Sequence, residues 1–289
     1  MDTVHDCMLH LEPISVRYCV TSINGFYSNR NDLNEPYDSD AVLMLFERTD
    51  GRLQGGFLNI SVHSTVLGPD NMYCSYDLIG TIRTYLKDHY GCNFTATMGA
   101  AGDISNRQYR QGNGFEELRR VASGIAEQII ANHEYHVIDF SAVSEITLDH
   151  PVKYDNRIHF SEYQEKLMSI EESLKDPTLS RDQFKLLLTS KEQFENKLKR
   201  ETVEFNAITK IFDFGPMLLI GFSGEMSSIL GMKIKHSAEG RLTVIVTCCD
   251  DDLGYFIEED KYGRYYETIA TDVPMGEPEK IVKAIISEL

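Results

Sequence analysis

The sequence predicts an α/β fold built on mixed sheets, with a helical hairpin inserted between its two halves. Three observations carry this. Short apolar runs of strand composition alternate with stretches whose apolar residues recur at helical spacing. The strands outnumber what a simple βαβ repeat supplies, so parallel and antiparallel pairings must mix. Residues 161–201 are charged and free of glycine, with one break at Asp176-Pro177-Thr178-Leu179-Ser180 and helical spacing on either side. The chain has 289 residues, 42% of them hydrophobic, enough for a sizeable core. It reads as one domain over 1–289 that contains the insertion.

The elements follow in order. Residues 14–20 and 41–47 are apolar strands separated by a polar loop rich in Asn, Asp, Gly and Pro. Asp50-Gly51 marks a hairpin turn into a strand over 56–63. Residues 76–90 form an amphipathic helix, 93–98 a strand, 115–131 a second helix and 135–143 a strand. After the hairpin come strands at 204–212 and 216–222, a helix at 227–235, a strand at 242–249 and a closing helix at 278–289.

The net charge of −17 repels phosphate backbones and anionic lipid, so neither nucleic acid nor a membrane surface is an expected partner. None of the six cysteines forms a CxxC pair, which excludes a thiolate zinc knuckle and fits a reducing cytosol. Cys248 and Cys249 fall inside the 242–249 strand pattern, as small hydrophobes. No signal peptide and no apolar run of about 20 residues is visible, so the expected location is cytoplasmic.

Four segments carry chemistry. His63 ends a strand, where an imidazole serves as a metal ligand or as a hydrogen-bonded structural group. Gly99–Arg107 is a small-residue loop whose Asp103 and Ser105 suit either a reacting carbonyl or a helix cap. Glu225 ends an apolar strand, as a ligand or as a helix N-terminal carboxylate. Asp250-Asp251-Asp252 precedes Tyr255 and is costly unless it is solvated or faces a cation.

Together these segments resemble the neutral/alkaline ceramidase family and its shorter bacterial relatives. NISVHSTVLGPDN (59–71) is similar to the family segment whose His binds zinc, here His63. Cys74-Ser75-Tyr76-Asp77 resembles the stretch before its helix. GAAGDISNR (99–107) resembles its G-D-x-S-P-N loop, which makes Ser105 the nucleophile with Asp103 beside it; Asn106 stands where the long members have Pro. FSGEMSSILG (222–231) gives Glu225 as the zinc-binding Glu. DDDLGYFIEEDKYGRYYE (250–267) gives Tyr255 as a zinc ligand and Tyr266 as the Tyr near the reacting centre. Asn29-Arg30 matches the pair whose Arg reaches the active site.

The resemblance implies a Zn2+-dependent hydrolase acting on a small-molecule N-acyl amide. Family members carry an upstream H-T-H-S-G-P segment that supplies another ligand, and the sequence has no such motif. Three expectations follow. A partner subunit or a homo-oligomer supplies the missing His, His5 or His10 replaces it, or the chain is a non-catalytic binding or partner subunit.

Overall fold

A computed structural model describes residues 2–140, 143–238 and 240–289. The first half contains α1 (Asp2–Leu9), β1 (Ile14–Ser22), β2 (Ser28–Asn29), β3 (Asp40–Arg48), β4 (Leu53–Ile60), α2 (Asp77–Tyr90), β5 (Phe94–Met98), β6 (Ile104–Ser105), α3 (Phe115–Ala131) and β7 (His136–Ile138). The second half contains β8 (Ser144–Asp155), α4 (Phe160–Ser173), α5 (Arg181–Leu198), β9 (Thr202–Asp213), β10 (Met217–Phe222), β11 (Glu225–Met226), α6 (Ser228–Ser237), β12 (Leu242–Val246), β13 (Tyr255–Phe256), α7 (Tyr266–Ala270) and α8 (Glu277–Ser287).

Two sheets form the centre. One has the order β5-β4-β3-β1-β7, antiparallel except for the parallel pair β4/β5. The other has the order β12-β10-β9-β8, antiparallel except for the parallel pair β10/β12. This is the mixed α/β architecture that the sequence predicts.

Side-chain alternation sorts the layers. Leu43 and Leu45 of β3 point, with Leu58 and Ile60 of β4, into a core shared with Leu78 and Ile82 of α2 and Val121 and Ile125 of α3. Their neighbours Val42 and Met44 point the other way and meet Met217 and Val244 of the second sheet. On that sheet's far face, Leu218 and Ile220 pack against Leu230 of α6 and Ile281 of α8. The stack is therefore helices, sheet, sheet, helices. Both sheets are covered on both faces, which is why β3 and β10 read as continuous apolar runs rather than alternating ones.

Several boundaries differ from the predicted ones. β4 ends at Ile60, so His63 lies three residues beyond the strand rather than on it. Gly99 N–H caps the Ile60 carbonyl at 3.0 Å and releases the chain from the ladder there. β12 stops at Val246, so Cys248 and Cys249 are not strand residues. Cys248 is exposed with φ +56, and Asp250 follows with φ +66. The 135–143 strand shrinks to His136–Ile138, and its residues 141–142 lie outside the described residues. β8 has no counterpart in the sequence reading. It is an edge strand, mostly exposed and containing Pro151, so it lacks the apolar pattern that marks a strand.

α4 and α5 form the helical pair expected over 161–201. Ser180 starts α5 with a capping box: its hydroxyl accepts from Gln183 N–H at 3.2 Å, and the Gln183 side chain returns to Ser180 N–H at 2.9 Å.

Candidate functional site

The carboxyl ends of the parallel strands β4, β5, β10 and β12 gather at one edge of the sandwich, where open α/β sheets form crevices. Cross-sheet hydrogen bonds fix this edge. Thr247 Oγ1 donates to Gly99 O at 2.8 Å, and the buried Asn59 Nδ2 donates to Ile245 O at 2.9 Å. Two short ribbons then build the site on it. β2 pairs with β6, setting Asn29 opposite Ile104 and Ser28 opposite Ser105. β11 pairs in parallel with β13, setting Glu225 opposite Tyr255. Gly102 joins the ribbons, its N–H donating to Met226 O at 2.8 Å. A Cβ on Gly102 would lie 2.7 Å from Glu225 O, so only glycine permits this approach.

His63 and Glu225 meet head to head. The His63 Nδ1 lies 2.9 Å from the Ile104 carbonyl, which can only accept, so Nδ1 carries the ring proton. Nε2 then turns its lone pair toward Glu225 Oε2, 2.7 Å away. A shared proton joins the two atoms at this distance, so the pair stands as a hydrogen bond between two groups that are both of metal-ligand type. Both side chains are mostly buried, at 14% and 17% exposure. Tyr255 stands beside Glu225 in register, and burial raises its phenol above the ordinary range against the opposing pull of Arg30.

Arg30 completes the group. Its Nε donates to Glu267, its Nη2 donates to Gly102 O at 2.9 Å, and its guanidinium lies 5.3 Å from the centre of the Tyr255 ring. Glu267 also accepts from Asn31 Nδ2 at 3.1 Å and is 1% exposed, so its charge is neutralised inside the protein. Tyr266, at the start of α7, lies close enough for the charges of Arg30, Glu267 and Glu225 to act on its hydroxyl, and burial raises its pKa first of all.

Asp103 and Ser105 are held differently. Asp103 Oδ1 accepts from Ser228 N–H at 2.8 Å at the start of α6, and Oδ2 accepts from Asn29 Nδ2 at 2.8 Å. Its carboxyl is pushed up to about 6, chiefly by burial. Ser105 is buried, and its hydroxyl accepts from Arg107 N–H at 3.2 Å. Among the described residues, Ser105 has no hydrogen bond to an imidazole or a carboxylate.

The structure thus brings His63, Glu225, Tyr255, Arg30 and Tyr266 together, with Ser105 one residue from the Ile104 carbonyl that orients His63. Among the described residues, no group of three or more His, Cys, Asp or Glu is arranged to hold a metal. His5 and His10 are exposed, and the His10 ring is tied to Asp6 O at 2.7 Å. Asp250 of the acidic run pairs with Lys210 at 2.7 Å, while Asp251 and Asp252 are exposed. Sequence reasoning gave Glu267 no role. Its signal was its place at the end of the 250–267 segment that carries the resemblance.

Comparison with solved structures places the fold. It is that of the neutral ceramidases. The neutral ceramidase from Pseudomonas aeruginosa superposes with a TM-score of 0.70 at 16% identity, over 99% of this chain and 53% of that one. A ceramidase complexed with C2 gives 0.64 at 13% identity, over 98% and 54%. The chain spans about half the length of the solved structures it matches. Neither a protein-family model nor a curated protein matches the sequence. No helix among the described residues is long and apolar enough to cross a membrane.

Proposed function

We propose that the chain is a zinc-dependent amidohydrolase that cleaves a small N-acyl amide in the cytosol, with His63, Glu225 and Tyr255 as the zinc-holding residues. The observation that carries this reading is the 2.7 Å approach of His63 Nε2 to Glu225 Oε2 with Nδ1 already committed. A nitrogen and a carboxylate oxygen, aimed at one point with a phenol beside them, form a donor set that zinc accepts. When bound, zinc supplies Lewis-acid polarisation of the amide carbonyl and acidifies water.

The remaining roles belong to the protein's own groups. Ile104 O fixes the His63 tautomer. Tyr255, steadied by Arg30, faces the oxygen that gains charge, and Tyr266 stands near the same centre. Ser105 or a water attacks the carbonyl carbon. Asp103 serves as a positioning residue, tying the Asn29–Arg30 segment to α6. A partner subunit or a second copy of the chain contributes a further ligand.

A second reading, a non-catalytic binding subunit, draws on the absence of a third His, Cys, Asp or Glu beside the pair among the described residues. Elemental analysis of wild type, His63→Ala and Glu225→Gln separates the two. About one zinc per wild-type chain, lost in both variants, together with amine release from an N-acyl amide panel, supports the enzyme. No zinc in the wild type rules out the stand-alone enzyme and favours a binding role or a partner-completed site.

A further inference from the structure

A cavity of about 350 Å³ lies beneath α4 and α5, between the 3₁₀ turn that follows β8 and residues 262–275. Its size falls in the ~300–1,000 Å³ range of small-molecule sites. Aromatic residues build part of its wall. His159 stacks on Tyr163 at 5.8 Å, and Tyr163 meets Phe194 at 5.7 Å. The Tyr154 and Tyr262 hydroxyls are spent as donors to Asp272 O at 2.9 Å and Val273 O at 2.8 Å.

Lys197 sits among these rings at 6% exposure. Its ammonium donates to Thr271 O and lies 5.6 Å from the centre of the Tyr163 ring. It forms no ion pair among the described residues. The cavity lining also holds Asp272, Glu162 and Lys166, and both carboxylates attract the Lys197 ammonium without pairing with it: Asp272 pairs with Arg200 at 2.6 Å and Glu162 with Lys166 at 3.6 Å, which leaves Lys197 as the cation in excess. A buried cation without a direct ion pair is costly and is normally found paired. Burial holds this ammonium down to about 8. In a chain of net charge −17, a partly aromatic cavity whose one unpaired charge is the Lys197 ammonium favours an anion with an apolar body.

We propose that this cavity binds a small carboxylic acid with an aromatic or branched apolar body, its carboxylate on Lys197 Nζ and its body against Tyr163 and Phe194. The site is separate from the His63–Glu225 pair, and the inference does not depend on the activity proposed there.

Calorimetry with 4-phenylbutyrate, its alcohol 4-phenyl-1-butanol and its amine 4-phenylbutylamine tests this on the whole chain. Wild type is expected to take one 4-phenylbutyrate, about 10-fold or more tighter than the alcohol and tighter still than the amine. Lys197→Met is expected to remove that preference, leaving alcohol binding within about twofold, because only the charged hydrogen bond is lost. Lys197→Gln serves if the Met variant does not fold. His63→Ala is expected to bind the acid as wild type does. The proposal is overturned if wild type does not bind the acid or does not prefer it to the alcohol. It is also overturned if the preference survives in the Lys197 variants, or if His63→Ala abolishes binding.

Discussion

Gly102→Ala tests whether the close approach of the two ribbons holds the candidate site together. The added Cβ would lie 2.7 Å from Glu225 O and 3.1 Å from the Met226 carbonyl carbon and oxygen, so backbone must move. Two losses follow. Forced overpacking costs about 1–3 kcal/mol. Moving the loop outward also breaks the 2.8 Å bond from Gly102 N–H to Met226 O, worth about 1 kcal/mol. The sum is about 2–4 kcal/mol, or a fall in Tm of roughly 3–7 °C for a chain of this size. The same shift displaces Glu225 and the carbonyl that receives Arg30 Nη2, so zinc retention should fall alongside stability. Gly112→Ala is the control, because its nearest foreign atom, Glu117 Cβ, lies at an ordinary 3.7 Å. Urea unfolding and zinc content, measured on both variants, decide the matter. A Gly102→Ala protein within about 0.5 kcal/mol of wild type, with unchanged metal, would refute the reasoning.

Other perturbations probe neighbouring links. Burial raises the Asp103 carboxyl from 3.8 to about 6, so the folded chain holds a proton that the unfolded chain has released. Stability should therefore fall as pH rises through about 4 to 6, by about 3 kcal/mol in all from this group. Asp103→Asn should abolish that slope in unfolding curves at pH 4.5 and 7.5, while losing stability overall because Asn29 Nδ2 then faces a donor. Lys197 has the opposite sign. Its ammonium is lowered to about 8 from 10.5, a cost present below pH 8 and gone above pH 10.5, so Lys197→Met should gain up to about 3 kcal/mol at pH 7 in denaturant titrations. Asn59→Leu removes the donor to Ile245 O and leaves that carbonyl unpaired, so a loss of about 1–3 kcal/mol is expected by the same method. Tyr255→Phe keeps the ring beneath Arg30 and removes the phenol. Amide hydrolysis should drop about 10²–10³-fold in kcat with little change in Tm.

The sequence by itself determined the mixed α/β class, α2, α3, the α4–α5 pair and the strands buried on both faces, because apolar periodicity records which side of an element avoids water. The resemblance of its motifs to a known family also pointed to His63, Glu225, Tyr255, Arg30 and Tyr266. Only the tertiary structure decided how they meet. Glu225 and Tyr255 are 30 residues apart in sequence and become neighbours through the register of a two-residue ribbon, which leaves no local signature. Glu267 pairs with Arg30 across 237 residues, and nothing in the sequence around either one announces the other. β8 escaped because an exposed edge strand carries no apolar alternation. Cys248 was misread because β12 ends where its backbone turns to bond with Gly224 O and Phe222 O, and those partners come from another strand's end. Periodicity reports burial along one element. Ion pairs, register and close backbone approach depend on which elements meet, and the packed chain alone fixes that.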